Sequence, residues 1–133
     1  MSIADRSAPK ALVVHSDLGT LAGIQDALSR GGCEIVAARD LPTALMAATH
    51  HFFHVVVISS RVTEEGDGWP LAGVMHLIFP QAYIAVIAPD KNVCSLQAAI
   101  NHGATHVFET KTAPSEIAGA ILKKFPTPSK RLQ

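Results

Sequence analysis

His54-Val55-Val56-Val57-Ile58-Ser59-Ser60 decides how the rest of the chain is read. The run is apolar without interruption, closes on two hydroxyls and passes into the polar, glycine-containing loop Arg61–Gly68. A strand with one wet face would alternate apolar and polar residues. An unbroken run marks a strand buried on both faces, as in a parallel sheet covered by helices. In open sheets of that kind ligands and chemistry gather beyond the carboxyl ends of the strands. Ser59 and whatever lies beside it are therefore the first place to look for function.

Working outward, the same type of run recurs on both sides. Lys10–His15 and Cys33–Ala38 read as strands before the central one, and Ala82–Ala88 and His106–Glu109 as strands after it. Helical spacing separates them. Ser16 or Asp17 can cap a helix carrying Leu18, Leu21, Ile24 and Leu28, closed by Gly31-Gly32. Asp40 caps a second helix with Pro42 in its first turn and Leu45 and Met46 facing inward, fraying near Thr49. Trp69–Phe79 carries Leu71, Val74, Met75 and Ile78 on one face. Asp90 is expected to cap a helix bearing Val93, Leu96, Gln97 and Ile100, stopped by Gly103. Thr112 is expected to cap the last helix, with Pro114 in its first turn and Ile117, Ile121 and Phe125 inward.

Five strands alternating with five helices require right-handed crossovers and a parallel sheet with helices on both faces. The expectation is an α/β fold, a (βα)₅ doubly wound three-layer sandwich of flavodoxin-like type. Its strand order is 2-1-3-4-5, with the switch point between strands one and three. The domain runs from 10 to 125, between a polar tail at 1–9 and a Pro/Lys/Arg-rich tail or linker at 126–133. The site then collects His15-Ser16-Asp17, Ser59-Ser60, Ala88-Pro89 and Glu109-Thr110-Lys111.

Composition narrows the function classes. The 133 residues are 48% hydrophobic, enough for one buried core. Eleven basic and eleven acidic residues cancel, which removes a general electrostatic drive toward nucleic acid or an anionic membrane. Aromatics are too few for a base-stacking platform. There is no secretory leader in Met1–Lys10 and no apolar run of about 20 residues, so the expected location is the cytoplasm. Cys33 and Cys94 are expected to be buried, reduced thiols.

From Lys10 to Phe125 the chain resembles the receiver domain of bacterial two-component response regulators. The resemblance rests on the alternation of elements, on Ala37-Ala38-Arg39-Asp40 before Pro42-Thr43-Ala44-Leu45, and on Gly103-Ala104-Thr105-His106-Val107-Phe108 leading into the fifth strand. It implies a non-enzymatic signalling module. In that family a carboxylate at the end of strand three accepts a phosphoryl group, and an acidic pair after strand one holds Mg²⁺ through oxygen ligands. A hydroxyl after strand four and a lysine after strand five bind the phosphoryl oxygens.

This chain departs from that pattern at each position. Ser59 stands where the acceptor belongs, and a hydroxyl cannot form an acyl phosphate. His15 and Ser16 replace the acidic pair and are poor Mg²⁺ ligands. Ala88 replaces the strand-four hydroxyl. Thr110 takes the lysine position, with Lys111 one residue late and directed to the other side of the strand. Val107 stands where the family's switch aromatic belongs. Asp17 is displaced by one residue and reads as a helix cap, while Glu64, Glu65 and Asp67 sit in a polar loop. The resemblance thus implies a pseudo-receiver without metal or cofactor, working through a protein partner or a homodimer on the face of helix four, strand five and helix five.

Four other readings compete. A small-molecule site could use the altered pocket at His15, Ser59 and Thr110. An enzyme could use Ser59 with His15, but no third orienting group or oxyanion site is visible, and a His15–Ser59 hydrogen bond is the simpler expectation. Cobalamin-binding and flavin-binding motifs are incomplete, since Val13 and Leu18 stand where the former needs aspartate and glycine. The histidines His50, His51 and His54 and the pair His102 and His106 invite a Zn²⁺ or pH-sensing role, yet the strand order puts the two groups on opposite flanks.

Overall fold

The computed structural model describes residues 9–62 and 68–125. Its strands are β1 (Lys10–Val14), β2 (Glu34–Ala38), β3 (Val55–Ser59), β4 (Tyr83–Ala88) and β5 (His106–Glu109). Its helices are α1 (Leu18–Arg30), α2 (Leu41–His50), α3 (Gly68–Ile78), α4 (Val93–His102) and α5 (Pro114–Leu122). All strand pairs are parallel and the order is β2-β1-β3-β4-β5, as the apolar runs require. Every residue of β3 and β4 is buried. Ser59 pairs with Ile87, and the register Val14↔Ile58 brings His15 beside Ser59 at the carboxyl edge.

Alternation along the strands sorts the core into two layers. Leu12, Val14, Val56, Ile58, Ile84 and Val86 point toward α2 and α3, and Ala88 and Val107 continue that side beneath Ala99 of α4. Ala11, Val13, Val55, Val57, Ala85 and Phe108 point toward α1 and α5. α3 and α4 are interlocked. The His102 ring lies over Gly73, and a Cβ on Gly103 would collide with the His76 ring. Gly103 ends α4 at φ 74°, a left-handed conformation that side chains avoid.

Several inward positions fall elsewhere. α2 turns Ala44, Ala47 and Ala48 to the sheet, so Leu45 (41% exposed) and Met46 (61%) face out. Small residues let this helix lie close to the strands. On α3, Leu71, Ala72 and Met75 are buried, while Val74 and Ile78 lie on an exposed flank. Leu18, in the first turn of α1, is also exposed. Phe125 packs half-buried against the α1/α5 core.

The caps differ as well. Asp17 rather than Ser16 caps α1, and Asp40 caps α2 as expected. Asn92, not Asp90, caps α4, because Ser95 completes a reciprocal capping box three residues on. Ala113, not Thr112, stands at the N-cap of α5 and makes no side-chain cap bond. α2 stays helical through Thr49 to His50. Cys33 is buried but Cys94 is exposed. Among the described residues no helix is long and apolar enough to cross a membrane. The expected tails, Pro9 apart, and the loop acids Glu64, Glu65 and Asp67 lie outside the described residues.

Candidate functional site

β3 delivers Ser59 to the carboxyl edge because its ladder with β1 and β4 continues to that residue. The residue is 7% exposed, and its hydroxyl turns back on its own loop. Ser59 Oγ donates to the Arg61 carbonyl at 3.1 Å and stands 3.2 Å from the Arg61 N–H as an acceptor. Ser60 continues the ladder through its N–H to the Ile87 carbonyl at 2.8 Å. Gly68 opens α3 hard against this turn, donating its N–H to the Ser60 carbonyl at 3.0 Å. A Cβ there would collide with the Ser59 carbonyl oxygen.

His15 is buried and equally self-contained. Its N–H donates to the Ala38 carbonyl, and its Nδ1 accepts the Asp17 N–H at 3.1 Å. The proton of the neutral ring is thereby assigned to Nε2. Burial pushes the His15 pKa down, against a smaller upward pull from the Asp17 carboxylate. Asp17 accepts from Thr20 N–H (2.9 Å) and Thr20 Oγ1 (2.7 Å), and these bonds hold its pKa low. Ser16 offers its carbonyl to Arg39 Nη2 at 3.2 Å.

The expected His15–Ser59 hydrogen bond is replaced by these local ones. The two residues are adjacent across the ladder, but each finds a backbone partner two residues ahead in its own loop. A histidine whose Nδ1 is engaged and whose Nε2 carries the proton has no lone pair for the serine hydroxyl. His15 in this arrangement therefore does not serve as a base for Ser59.

The remaining strand ends fit the same frame. Ala88 closes β4, and its carbonyl accepts the Thr110 N–H at 2.9 Å. Val107 is buried with Ala88 and Ala99, filling the space beside α4. Lys111 is exposed, its Nζ 3.9 Å from Glu109 Oε1.

Two open clefts lie along this edge. One, of about 320 Å³, is lined by Ser60, Arg61, Trp69, Ala88, Asp90 and the start of α4. The other, of about 310 Å³, lies between α1 and α5 and is lined by Asp17, Thr20, Ile87, Thr110, Thr112 and Pro114. Neither cleft is lined by His15 or Ser59. Arg61 and Trp69 were not singled out from sequence. The only sign of them was their place flanking the loop after β3.

His51, His54, His102 and His106 have separate structural employment. Lys10 N–H donates to His54 Nδ1 at 3.1 Å, and Lys10 Nζ lies 3.3 Å from His51 Nδ1. His106 stacks on Phe108 at 4.2 Å and meets the Tyr83 hydroxyl at 3.1 Å. His102 Nδ1 donates to the Ala98 carbonyl at 2.9 Å. Among the described residues no group of three or more His, Cys, Asp or Glu could hold a metal ion.

Solved structures share this architecture. A CheY-like receiver domain protein from Methanospirillum hungatei superposes with a TM-score of 0.81 at 18% identity, over 94% of this chain and 99% of that one. Vibrio cholerae CheY4 gives 0.79 at 17% identity, covering 87% and 98%. HP1043, an orphan response regulator of H. pylori, gives 0.78 at 11%, covering 90% and 98%. The fold is that of the response-regulator receiver domain. No family model and no curated protein matches the sequence.

Proposed function

We propose that this chain is an atypical receiver domain, a signalling module that works by protein contact and without aspartyl phosphorylation. The observation that carries the reading is Ser59: the third strand ends at the switch point in a buried hydroxyl bonded to its own turn. On this reading Ser59 is a vacant acceptor position and His15 and Ser16 a lost acidic pair. Ala88, Thr110 and Lys111 are then lost phosphoryl contacts, and Val107 a lost switch aromatic. Buried Val107 supports the last point, since it has no larger neighbour at Ala88 to exchange places with. The module has no enzymatic step, and neither metal nor cofactor enters its action.

The contact surface on this reading is the face of α4, β5 and α5, open to a protein partner or a second copy. α4 supports it, because Val93 and Ile100 are 77% and 80% exposed and only Ala99 of that helix is buried. The alternative, a small molecule held at His15 and Ser59, is disfavoured by the burial and local bonding of both side chains. Incubation with acetyl phosphate and Mg²⁺, read by intact mass, tests the proposal. The mass is expected to stay unchanged; one added phosphoryl group that hydroxylamine removes, the mark of an acyl phosphate, would overturn it.

A further inference from the structure

α2, α3 and α4 contain no Asp, Glu, Lys or Arg, whereas α1 carries Asp26 and Arg30 and α5 carries Glu116. The three helices cover the same side of the sheet and run the same way along it. One residue forward from a sheet-facing position therefore turns each of them in the same sense. On α3 that step, from buried Met75 to His76, leads toward α4, where His76 meets Gly103. On α2 the same step leads from Ala44 to Leu45, toward α3. On α4 it leads from Ala99 to Ile100, away from α3 and toward the outer edge of the molecule.

Two apolar surfaces follow from this phase. α3 and α4 are interlocked through their glycines, but α2 and α3 touch each other sparsely. The seam between α2 and α3 has Leu45 on one wall and Val74 and Ile78 on the other, all partly exposed. At its end Phe52 is 62% exposed and meets Phe79 edge-on at 5.6 Å. At the opposite end of the layer Val93, Leu96 and Ile100 form a projecting row at i, i+3 and i+7 of α4. A row with that spacing is what a helix lays into an apolar groove.

We infer that the α4 row of one copy of this chain docks in the α2–α3 seam of another. The page favours a second copy over a foreign partner on charge. Both surfaces lack formal charge and the whole chain is neutral, so nothing repels a second copy and nothing attracts an acidic or basic partner. The areas also match. Each side chain contributes on the order of 100 Å² of apolar surface when covered. With the usual apolar share of about 60%, the seven side chains correspond to roughly 1,100 Å² of total interface, the lower edge of the specific class. Pairing two α4 rows with each other would leave both seams open. Because row and seam are different surfaces, the contact is heterologous and leaves one of each free to continue.

This inference rests on the proposed contact function and adds the geometry of assembly. Sedimentation equilibrium over roughly 10 μM to 1 mM, the range in which small interfaces dissociate, tests it with two variants, Ile100→Asp in the row and Ile78→Asp in the seam. The wild type is expected to gain mass with concentration and each variant to remain monomeric. A mixture of the two is expected to recover a 1:1 dimer, since each keeps the surface the other lacks. Ile100→Gln and Ile78→Gln, checked by amide NMR, replace the aspartate variants if those unfold. A monomeric wild type overturns the inference, as does a mixture that stays monomeric. So does self-association lost with Ile100 but kept without Ile78, which would mark α4-to-α4 pairing. None of these results bears on the acetyl phosphate experiment, so the two failures are distinguishable.

Discussion

Ser59 and His15 stand side by side at the switch point, yet each is satisfied by backbone two residues further along its own loop. Replacing Ser59 by Ala removes one hydroxyl that, among the described residues, bonds to the Arg61 backbone. The expected loss is about 1 kcal/mol or less in urea unfolding, with the amide spectrum otherwise unchanged. Protonation matters more at His15 and His106. Burial lowers the pKa of both, assisted at His106 by Lys91 and opposed at His15 by Asp17. The folded chain then binds these protons less readily than the unfolded chain. Their contribution is complete above the ordinary value of 6.5 and is lost as the pH falls below it. The capping carboxylates Asp17 and Asp40 are held low by their Thr20 and Thr43 bonds, so theirs persists above 3.8 and is lost further down. Urea midpoints measured against pH are expected to decline in two stages below about 7, to be flat from there to the ordinary thiol value of 9.0, and to fall again above it, because burial raises the Cys33 and Tyr83 pKa values. His15→Gln is expected to shrink the first stage.

At the scale of elements, the caps and close approaches yield sharper tests. Asn92→Ala breaks the capping box of α4 and is expected to cost about 1 kcal/mol, seen as a lower urea midpoint and faster amide exchange in the first turn of α4. Gly68→Ala puts a methyl against the Ser59 carbonyl, where backbone rather than a flexible side chain must move. A loss of about 1–3 kcal/mol is expected, with amide shifts at Ser59, Ser60 and Arg61. The strands were legible because a buried parallel sheet writes itself as apolar runs, and the run at 54–58 shows it best. Helix faces were less legible. On α2 the spacing of large residues suggested Leu45 and Met46, but the structure brings alanines to the strands and leaves the larger side chains outside. The cap of α4 was misplaced by two residues because Asp90 is a good cap in isolation, while Asn92 has Ser95 to answer it. That these residues gather at one carboxyl edge followed from strand order. Its bonding did not, because adjacency across the ladder says nothing about which loop amide reaches a side chain first.

At the scale of the molecule, the helices on one side of the sandwich carry Asp26, Arg30 and Glu116, whereas those on the other carry no Asp, Glu, Lys or Arg. The uncharged helices bear both the closed α3–α4 contact and the open surfaces flanking it. On the proposed reading, a receiver fold with its strand ends bonded to their own loops and α4 exposed signals by what docks on it. Amide chemical shifts recorded while Mg²⁺ and beryllofluoride, a phosphoryl mimic, are added test that claim most directly. The expected result is no saturable shift at Ser59, His15, Ala88, Thr110 or Lys111, and none along α4. Saturable, Mg²⁺-dependent shifts centred on Ser59 and Lys111 would contradict it.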